Sequence, residues 1–223
     1  GNFDGIHNGH KALIRKVVQL AEQSSRMAGL ISFTPHPRVF FSGKENFSQI
    51  NDEVTRQDIL RRQDLDILFK VKFNKDLSLM PPDIFFYDVL KNGINVSHIV
   101  VGSDFKFGHK RLGNTEILGE LSKENNIGFD VIEKQANNSL KTYSSSAIRE
   151  YLLEGNISAA NKMLGHYWYT MGVVIAGASK GNQIGFPTIN IKLDGSIKFA
   201  HGIYATNVYL DSKRYQGATY YGK

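Results

Sequence analysis

The chain has no cysteine among its 223 residues. That absence excludes disulfides, cysteine-ligated zinc, iron–sulfur clusters and thiol nucleophiles, and it fits a reducing compartment, so a cytoplasmic location is the expectation. A chain of this length buries about 70% of the surface its unfolded form exposes, so a core needs no covalent staple. Apolar runs are short as well. None approaches the ~20 residues that span a bilayer, and the opening carries no signal-peptide pattern, so no membrane partner is expected. Blocks of one charge are also lacking. The net charge is +6, from 27 Lys and Arg against 21 Asp and Glu, but the densest basic spots are only Lys70 with Lys72, and Lys106 with Lys110 and Arg111. A basic balance favours anionic partners; its dispersal, and the lack of a nucleic-acid motif, argue for small phosphorylated molecules over nucleic acid. There are no internal repeats and no low-complexity tracts, and the length fits one domain or two.

What is present alternates. The run Gly1-Asn2-Phe3-Asp4-Gly5-Ile6-His7-Asn8-Gly9-His10 reads as a strand end and a loop entering a helix, so a preceding strand is expected. From His10 to about Ser25, Leu13, Ile14, Val17, Leu20 and Ala21 fall on one helical face. Gly29–Thr34 reads as a strand stopped by Pro35 and Pro37, then a polar loop, a helix near Asp52–Asp64 and a strand over Ile67–Phe73. Pro81-Pro82 starts a helix expected to stop at Asn92-Gly93. Strands are predicted at Ser97–Val101 and Gly128–Ile132, and helices at Asn114–Asn125, Ser145–Leu153 and Asn156–Leu164. This order predicts an α/β domain with a parallel sheet and helices on both faces. After Gly165 the texture changes to β-branched and aromatic runs at Tyr167–Ala176, Thr188–Leu193 and Ile203–Tyr209, separated by glycines. A second, all-β unit is expected over 166–223.

His7 and His10 sit where the first helix begins. Unpaired N–H groups point outward there, and the helix dipole supplies about half a positive charge. Gly5 and Gly9 lack Cβ atoms, which lets a phosphate approach the backbone. Imidazoles that protonate near neutral pH would add donors, so the spacing predicts a phosphate clamp. Two zinc ligands, or histidines that only cap and pack, are the alternatives open to the residues themselves. Ser144, Ser145 and Ser146 open another helix with Arg149 one turn in, a second place for an anion and a bidentate guanidinium. Asp104 stands between a strand and a loop, able to orient a ribose or to form an Asx-turn. Phe105 and Phe107 offer apolar faces to a ring system, or to the core.

The opening string resembles the Gly-x-Phe-Asp-Gly-x-His-x-Gly-His signature of the Rossmann-like nucleotidyltransferases. Phe33-Thr34-Pro35-His36-Pro37-Arg38, Val101-Gly102-Ser103-Asp104-Phe105-Lys106-Phe107-Gly108 and Ser144-Ser145-Ser146-Ala147-Ile148-Arg149 resemble strings of bacterial flavin adenylyltransferases. The resemblance implies His7, His10 and Arg149 as catalytic residues. It implies Gly1, Phe3, Asp4, Gly5, Gly9, Ser144, Ser145 and Ser146 around ATP phosphates, and Asp104, Phe105 and Phe107 near the flavin.

A second candidate lies in the β-rich part. Gly177 and Gly181, with Lys180 between them, suit a loop whose amides hold phosphate oxygens. Thr188 and Asn190, two apart on a strand, place hard oxygen ligands on one face, as Mg²⁺ carried with a nucleotide requires. A hairpin with glycine turns is the plainer reading. The stretch resembles the riboflavin kinase motif Gly-x-x-x-Gly-Arg-x-x-Gly-Phe-Pro-Thr-Ala-Asn, followed by Gly-x-Tyr-Ala at Gly202–Ala205. It departs at Asn182, where arginine is usual, and at Ile189, and the family's catalytic glutamate is expected beyond residue 223.

Over its whole length the chain resembles the bifunctional riboflavin kinase/FAD synthetase family. That implies an adenylyltransferase domain at 1–165 and the first part of a kinase barrel at 166–223. ATP, riboflavin and FMN would be substrates, FAD a product and Mg²⁺ the cofactor. Other phosphate acceptors, or a basic nucleic-acid module, remain the alternatives, and oligomeric state is not legible in the sequence.

Overall fold

A computed structural model describes residues 1–134, 142–177 and 188–222. Helix α1 runs Asn8–Ser24 and is capped by His7, whose side chain accepts from the His10 amide; it ends at Ser25 in the left-handed region. Strand β1 (Gly29–Thr34) follows. Then come α2 (Pro37–Ser42) and α3 (Glu53–Arg61), the latter capped by Asp52 accepting from Thr55 N. Strand β2 (Ile67–Lys72) pairs in parallel with β1, from Gly29 opposite Ile67 to Thr34 opposite Lys72. After α4 (Lys75–Leu79) and α5 (Pro82–Ile84), strand β3 (His98–Gly102), helix α6 (Thr115–Glu124) and β4 (Gly128–Ile132) follow, and β3 and β4 form a second parallel pair. Helices α7 (Ser145–Leu153) and α8 (Ile157–Leu164) close this part, capped by Ser144 and Asn156.

Mixed α/β architecture with parallel strands is thus as expected. Among the described residues, β1–β2 and β3–β4 are separate two-stranded pairs. Two readings need correction, and one short helix was not foreseen. The polar loop after Pro37 contains α2. Residues 75–79 form α4 under an Asn74 cap, on too few residues for periodicity to register. The helix expected to stop at Asn92-Gly93 continues as a π-helix over Phe85–Ile94, ending at left-handed Asn95. Gly93 permits this wide turn: a Cβ there would lie 2.7 Å from the Asp88 carbonyl oxygen, five residues back.

Beyond α8 the chain is β-rich but its first strands are short. The runs expected at Tyr167–Ala176 and Thr188–Leu193 reduce to β5 (Val174–Ile175) and β6 (Asn190–Ile191), an antiparallel pair. A hairpin follows: β7 (Gly202–Leu210) pairs with β8 (Lys213–Tyr221), a strand that the sequence pattern did not signal. Its turn residues Asp211 and Ser212 both have positive φ, the geometry that matches strand twist. No closed barrel forms among the described residues.

Among the described residues, three buried clusters hold the fold. Ile6, Ile14 and Leu30 pack with Ile59 and Leu60 beneath α1 and α3. Phe85, Phe86, Leu90 and Phe107 fill the space under β3 and α6 with Val101 and Leu118. Ile50 joins Ile148, Leu152, Ala160, Met163 and Leu164 between α7 and α8. The path past Gly165 stays tied to α3. Tyr169 Oη donates to Asp58 at 2.6 Å, Thr170 Oγ1 to Asp52 at 3.3 Å, and the Met171 amide to Thr55 Oγ1 at 3.0 Å. Further on, residues 194–200 bind back as well. Gln49 N donates to Ser196 O at 2.8 Å, Ala200 N to Leu152 O at 2.9 Å, and Lys44 pairs with Asp194 at 2.9 Å.

Candidate active site

The loop before α1 brings two helix starts together. Asp4 is 2% exposed, and its carboxylate accepts from Ile50 N at 3.0 Å and Asn51 N at 3.4 Å. Arg149, one turn into α7, donates to the other carboxylate oxygen at 2.7 Å. Ser145 Oγ donates to the Asp4 carbonyl at 2.8 Å, while Ser144 caps α7 by accepting from Ala147 N at 3.2 Å. Gly5 has φ +88, and a Cβ there would approach Ile50 Cδ1 to 2.8 Å; only glycine admits this close passage. A Cβ on Gly9 would meet His7 at 3.1 Å and the Tyr143 Cβ at 3.5 Å, so the mouths of α1 and α7 are neighbours. Ser146 is exposed beside them.

His7 and His10 stack, with ring centroids 3.8 Å apart and planes 15° from parallel. Phe3 lies 5.0 Å from the His10 ring, and the Gly1 amine donates to Ile31 O of β1 at 2.7 Å. Burial holds the His7 imidazole down to about 4, with Arg149 acting the same way and Asp104 opposing. His10 is also held well below its ordinary value, by burial and then by its neighbour His7. The expectation of imidazoles protonating near neutral pH is therefore corrected: desolvation keeps the pair neutral at pH 7. A neutral imidazole still donates one N–H. His10 Nδ1 and Arg149 Nε are buried and have no hydrogen-bond partner among the described residues. Burial raises the Asp4 carboxyl, against the pull of Arg149 and of the two amides.

Further groups around this site were not singled out by sequence reasoning. Phe47, 8% exposed, carries the Arg149 guanidinium 4.6 Å from its ring centroid, Arg38 at 5.6 Å, and the His36 ring stacked at 4.8 Å. His36 caps α2 by accepting from Arg38 N at 3.1 Å, and burial with nearby arginines holds it down to about 3. The Pro-His-Pro-Arg turn was the available signal; Phe47, in a polar stretch, gave none. Arg56 is 3% exposed, donating to Asn2 O and Phe33 O at 3.2 Å, so it ties the loop to β1.

Of the remaining candidates, Asp104 stays near enough to act on His7 and the others separate. Asp104 is exposed and pairs with Lys134 at 3.1 Å. Phe107 is 7% exposed, stacked on Phe105 at 5.6 Å and packed on Phe85 at 5.7 Å, so its ring belongs to the core; Phe105 is the more open of the two. In the β-rich part, Gly177 and Asn190 come together: a Cβ on Gly177 would fall 2.0 Å from Asn190 Nδ2. Thr188 is exposed just before β6. Lys180, Gly181 and Asn182 lie outside the described residues. Among the described residues, no group of three or more His, Asp or Glu is placed to hold a metal ion, and no helix is long and apolar enough to cross a membrane.

Parallel βα units with amide-lined helix mouths define an α/β protein suited to phosphorylated ligands. The FAD synthetase family matches residues 1–147, and the riboflavin kinase family matches residues 164–223. A bifunctional riboflavin kinase/FMN adenylyltransferase of Buchnera aphidicola (from Schizaphis graminum) is 34% identical over 211 residues, covering 93% of this chain and 67% of its own. One from Haemophilus influenzae is 34% identical over 214 residues, covering 95% and 68%. A crystal structure from Streptococcus pneumoniae, named a macrolide-efflux protein, superposes with a TM-score of 0.87 at 26% identity, over 100% of this chain and 72% of that one. The chain belongs to the bifunctional riboflavin kinase/FMN adenylyltransferase family. It spans about two thirds of the length of these curated relatives.

Proposed function

We propose that this chain serves FAD biosynthesis in two steps: riboflavin is phosphorylated by ATP to FMN, and FMN is adenylylated by ATP to FAD. The family membership supports both activities. Residues 1–165, a Rossmann-like unit, carry adenylyl transfer, and residues 166–223 begin a kinase barrel. The observation that carries the first assignment is the convergence of the two helix mouths at Asp4, His7, His10 and Arg149.

In adenylyl transfer a phosphate oxygen of FMN attacks the α-phosphorus of ATP. The bond from that phosphorus to the bridging oxygen breaks, and pyrophosphate leaves with the electron pair. An ionised phosphate needs no general base, so positioning and charge stabilisation do the chemistry. The Gly9 amide at the mouth of α1 faces the phosphates, while the His10 amide stays with the His7 side chain that caps the helix. His10 Nδ1 and Arg149 Nε, which lack partners among the described residues, supply further polar contacts there. Asp4 holds Arg149 from behind, Ser145 and Ser146 add hydroxyls, and Gly1 and Phe3 frame the loop. Asp104 and Phe105 lie toward the flavin. Neutral imidazoles donate without repelling Arg149.

In the kinase half the donor set is Thr188 Oγ1 and the Asn190 amide oxygen, two hard neutral oxygens beside a glycine that leaves room for the amide. These suit Mg²⁺ that arrives with nucleotide phosphates, where it would shield phosphate charge. Gly177, Lys180 and Gly181 would cradle the phosphates. The net charge of +6 favours these anionic substrates.

Incubating the intact protein with riboflavin and MgATP should yield FMN and then FAD, with one pyrophosphate per FAD. His10→Ala should cut FAD formation at least a hundredfold while circular dichroism stays unchanged. Near-normal turnover would remove His10 from the site, and absence of FAD from the wild-type reaction would overturn the assignment.

A further inference from the structure

Trp168 lies in the part of the chain assigned to the kinase, yet its side chain reaches the other site. The indole Nε1 donates to the Ile50 carbonyl at 2.8 Å. That carbonyl and the Asn51 N–H belong to one trans peptide unit, so they point from opposite edges of one rigid plane. The Asn51 N–H donates to Asp4 Oδ1 at 3.4 Å, and the Ile50 N–H donates to the same oxygen at 3.0 Å. Asp4 in turn holds Arg149 at 2.7 Å.

We propose that Trp168 is a positioning residue for adenylyl transfer: its indole and Asp4 grip opposite edges of the Ile50–Asn51 peptide, which fixes the carboxylate that aims Arg149. The proposal rests on the assignment of adenylyl transfer to the Arg149 site. Trp168 is itself held in place. Its backbone N–H donates to Asn161 Oδ1 of α8 at 2.6 Å, and Asn51 Nδ2 donates to the next carbonyl, Tyr169 O, at 3.2 Å. The donor therefore cannot follow the loop if residues 50–51 shift. Without it, the peptide can rotate about its flanking bonds and the Asn51 amide leaves Asp4; the carboxylate then keeps only the Ile50 N–H, at 3.0 Å and 3.3 Å to its two oxygens, and aims the guanidinium less firmly. Because an ion pair of this kind steers charge toward the transition state, the loss falls on turnover more than on substrate binding.

A plainer role exists for the same side chain, since its ring packs edge-on against Phe199 at 4.8 Å. Trp168→Phe separates the two roles, because it keeps a ring and removes the N–H. In the intact protein, Trp168→Phe should lower kcat for adenylylation of supplied FMN five- to tenfold. The KM for ATP should stay within twofold, and riboflavin phosphorylation should be unchanged. An unchanged adenylylation kcat overturns the proposal. Equal loss of both activities with a lowered melting temperature also overturns it, leaving packing alone. If Trp168→Phe does not fold, Asn161→Ala frees the Trp168 amide and keeps the indole; it should lower the same kcat two- to fivefold, and a wild-type value overturns the proposal. Failure of the wild-type protein to convert FMN to FAD would instead defeat the functional assignment.

Discussion

Replacing Asp4 by asparagine changes one oxygen to an NH₂ group and keeps the shape. The amide oxygen could still accept from Ile50 N and Asn51 N, but the NH₂ would face the Arg149 guanidinium, donor against donor. Breaking a buried ion pair by removing one partner costs about 3–5 kcal/mol, because a charge is left behind without compensation. The Arg149 side chain is 13% exposed against 3% for Asp4, so some solvent reaches it and about 3 kcal/mol is the expected loss. Asp4→Ala should cost more. It also strands two inward-facing amides, at roughly 1–3 kcal/mol each. Urea unfolding with two independent probes measures both. Arg149→Met supplies the control. In the pair Asp4→Asn/Arg149→Met no unpaired charge remains, so the double change should cost at least about 1 kcal/mol less than the summed single changes. A loss below about 1 kcal/mol for Asp4→Asn, or simple additivity in the cycle, would refute this account of the pair.

Gly165 ends α8 at φ +68, and a Cβ there would fall 2.1 Å from Asn8 Oδ1. Gly165→Ala should therefore cost roughly 2 kcal/mol or more from left-handed strain and displacement of Asn8, and a melting temperature within about 1 °C of wild type would contradict this. Acid should destabilise the fold between pH 6.5 and about 4. His7 titrates near 4 when folded and near 6.5 when unfolded, so the unfolded chain binds more protons in that window and stability falls with pH. His36 and His166, held down to about 3 and about 4, act with the same sign, while the raised Asp4 carboxyl opposes them at the acid end. Stability flat across that window, measured by urea midpoints, would show the histidines to be solvated. Thr188→Ala should abolish FMN formation while sparing adenylylation of supplied FMN, read by separating the flavins chromatographically; loss of both would break the two-site arrangement.

Local chemistry made much of the fold legible. Asn114 and Ser144 begin α6 and α7 through cap bonds that depend only on nearby residues, and Gly29–Thr34 is a strand by its apolar run and the prolines after it. The π-helix at Phe85–Ile94 was not legible, because its wide turn is decided by burying Phe85, Phe86 and Leu90 together, and a glycine that stops an α-helix is tolerated there. At the site, the glycines and histidines carried their own signal. Protonation did not: the low His7 value follows from burial by residues distant in sequence. Phe47 and Trp168 act through partners a hundred residues or so away, Arg149 and Ile50, which no periodicity reveals.

Residues 168–171 and 194–200 latch onto the first part of the chain at two places separated by more than twenty residues. A body fastened at one point can swing, but one fastened at two can only unfasten. The first latch grips residues 50–58; the second grips residues 44–49 and Leu152. Any swing of the later segment would have to release both. With both latches closed, residues 168–171 and 194–200 stay fixed against the elements that carry Asp4 and Arg149.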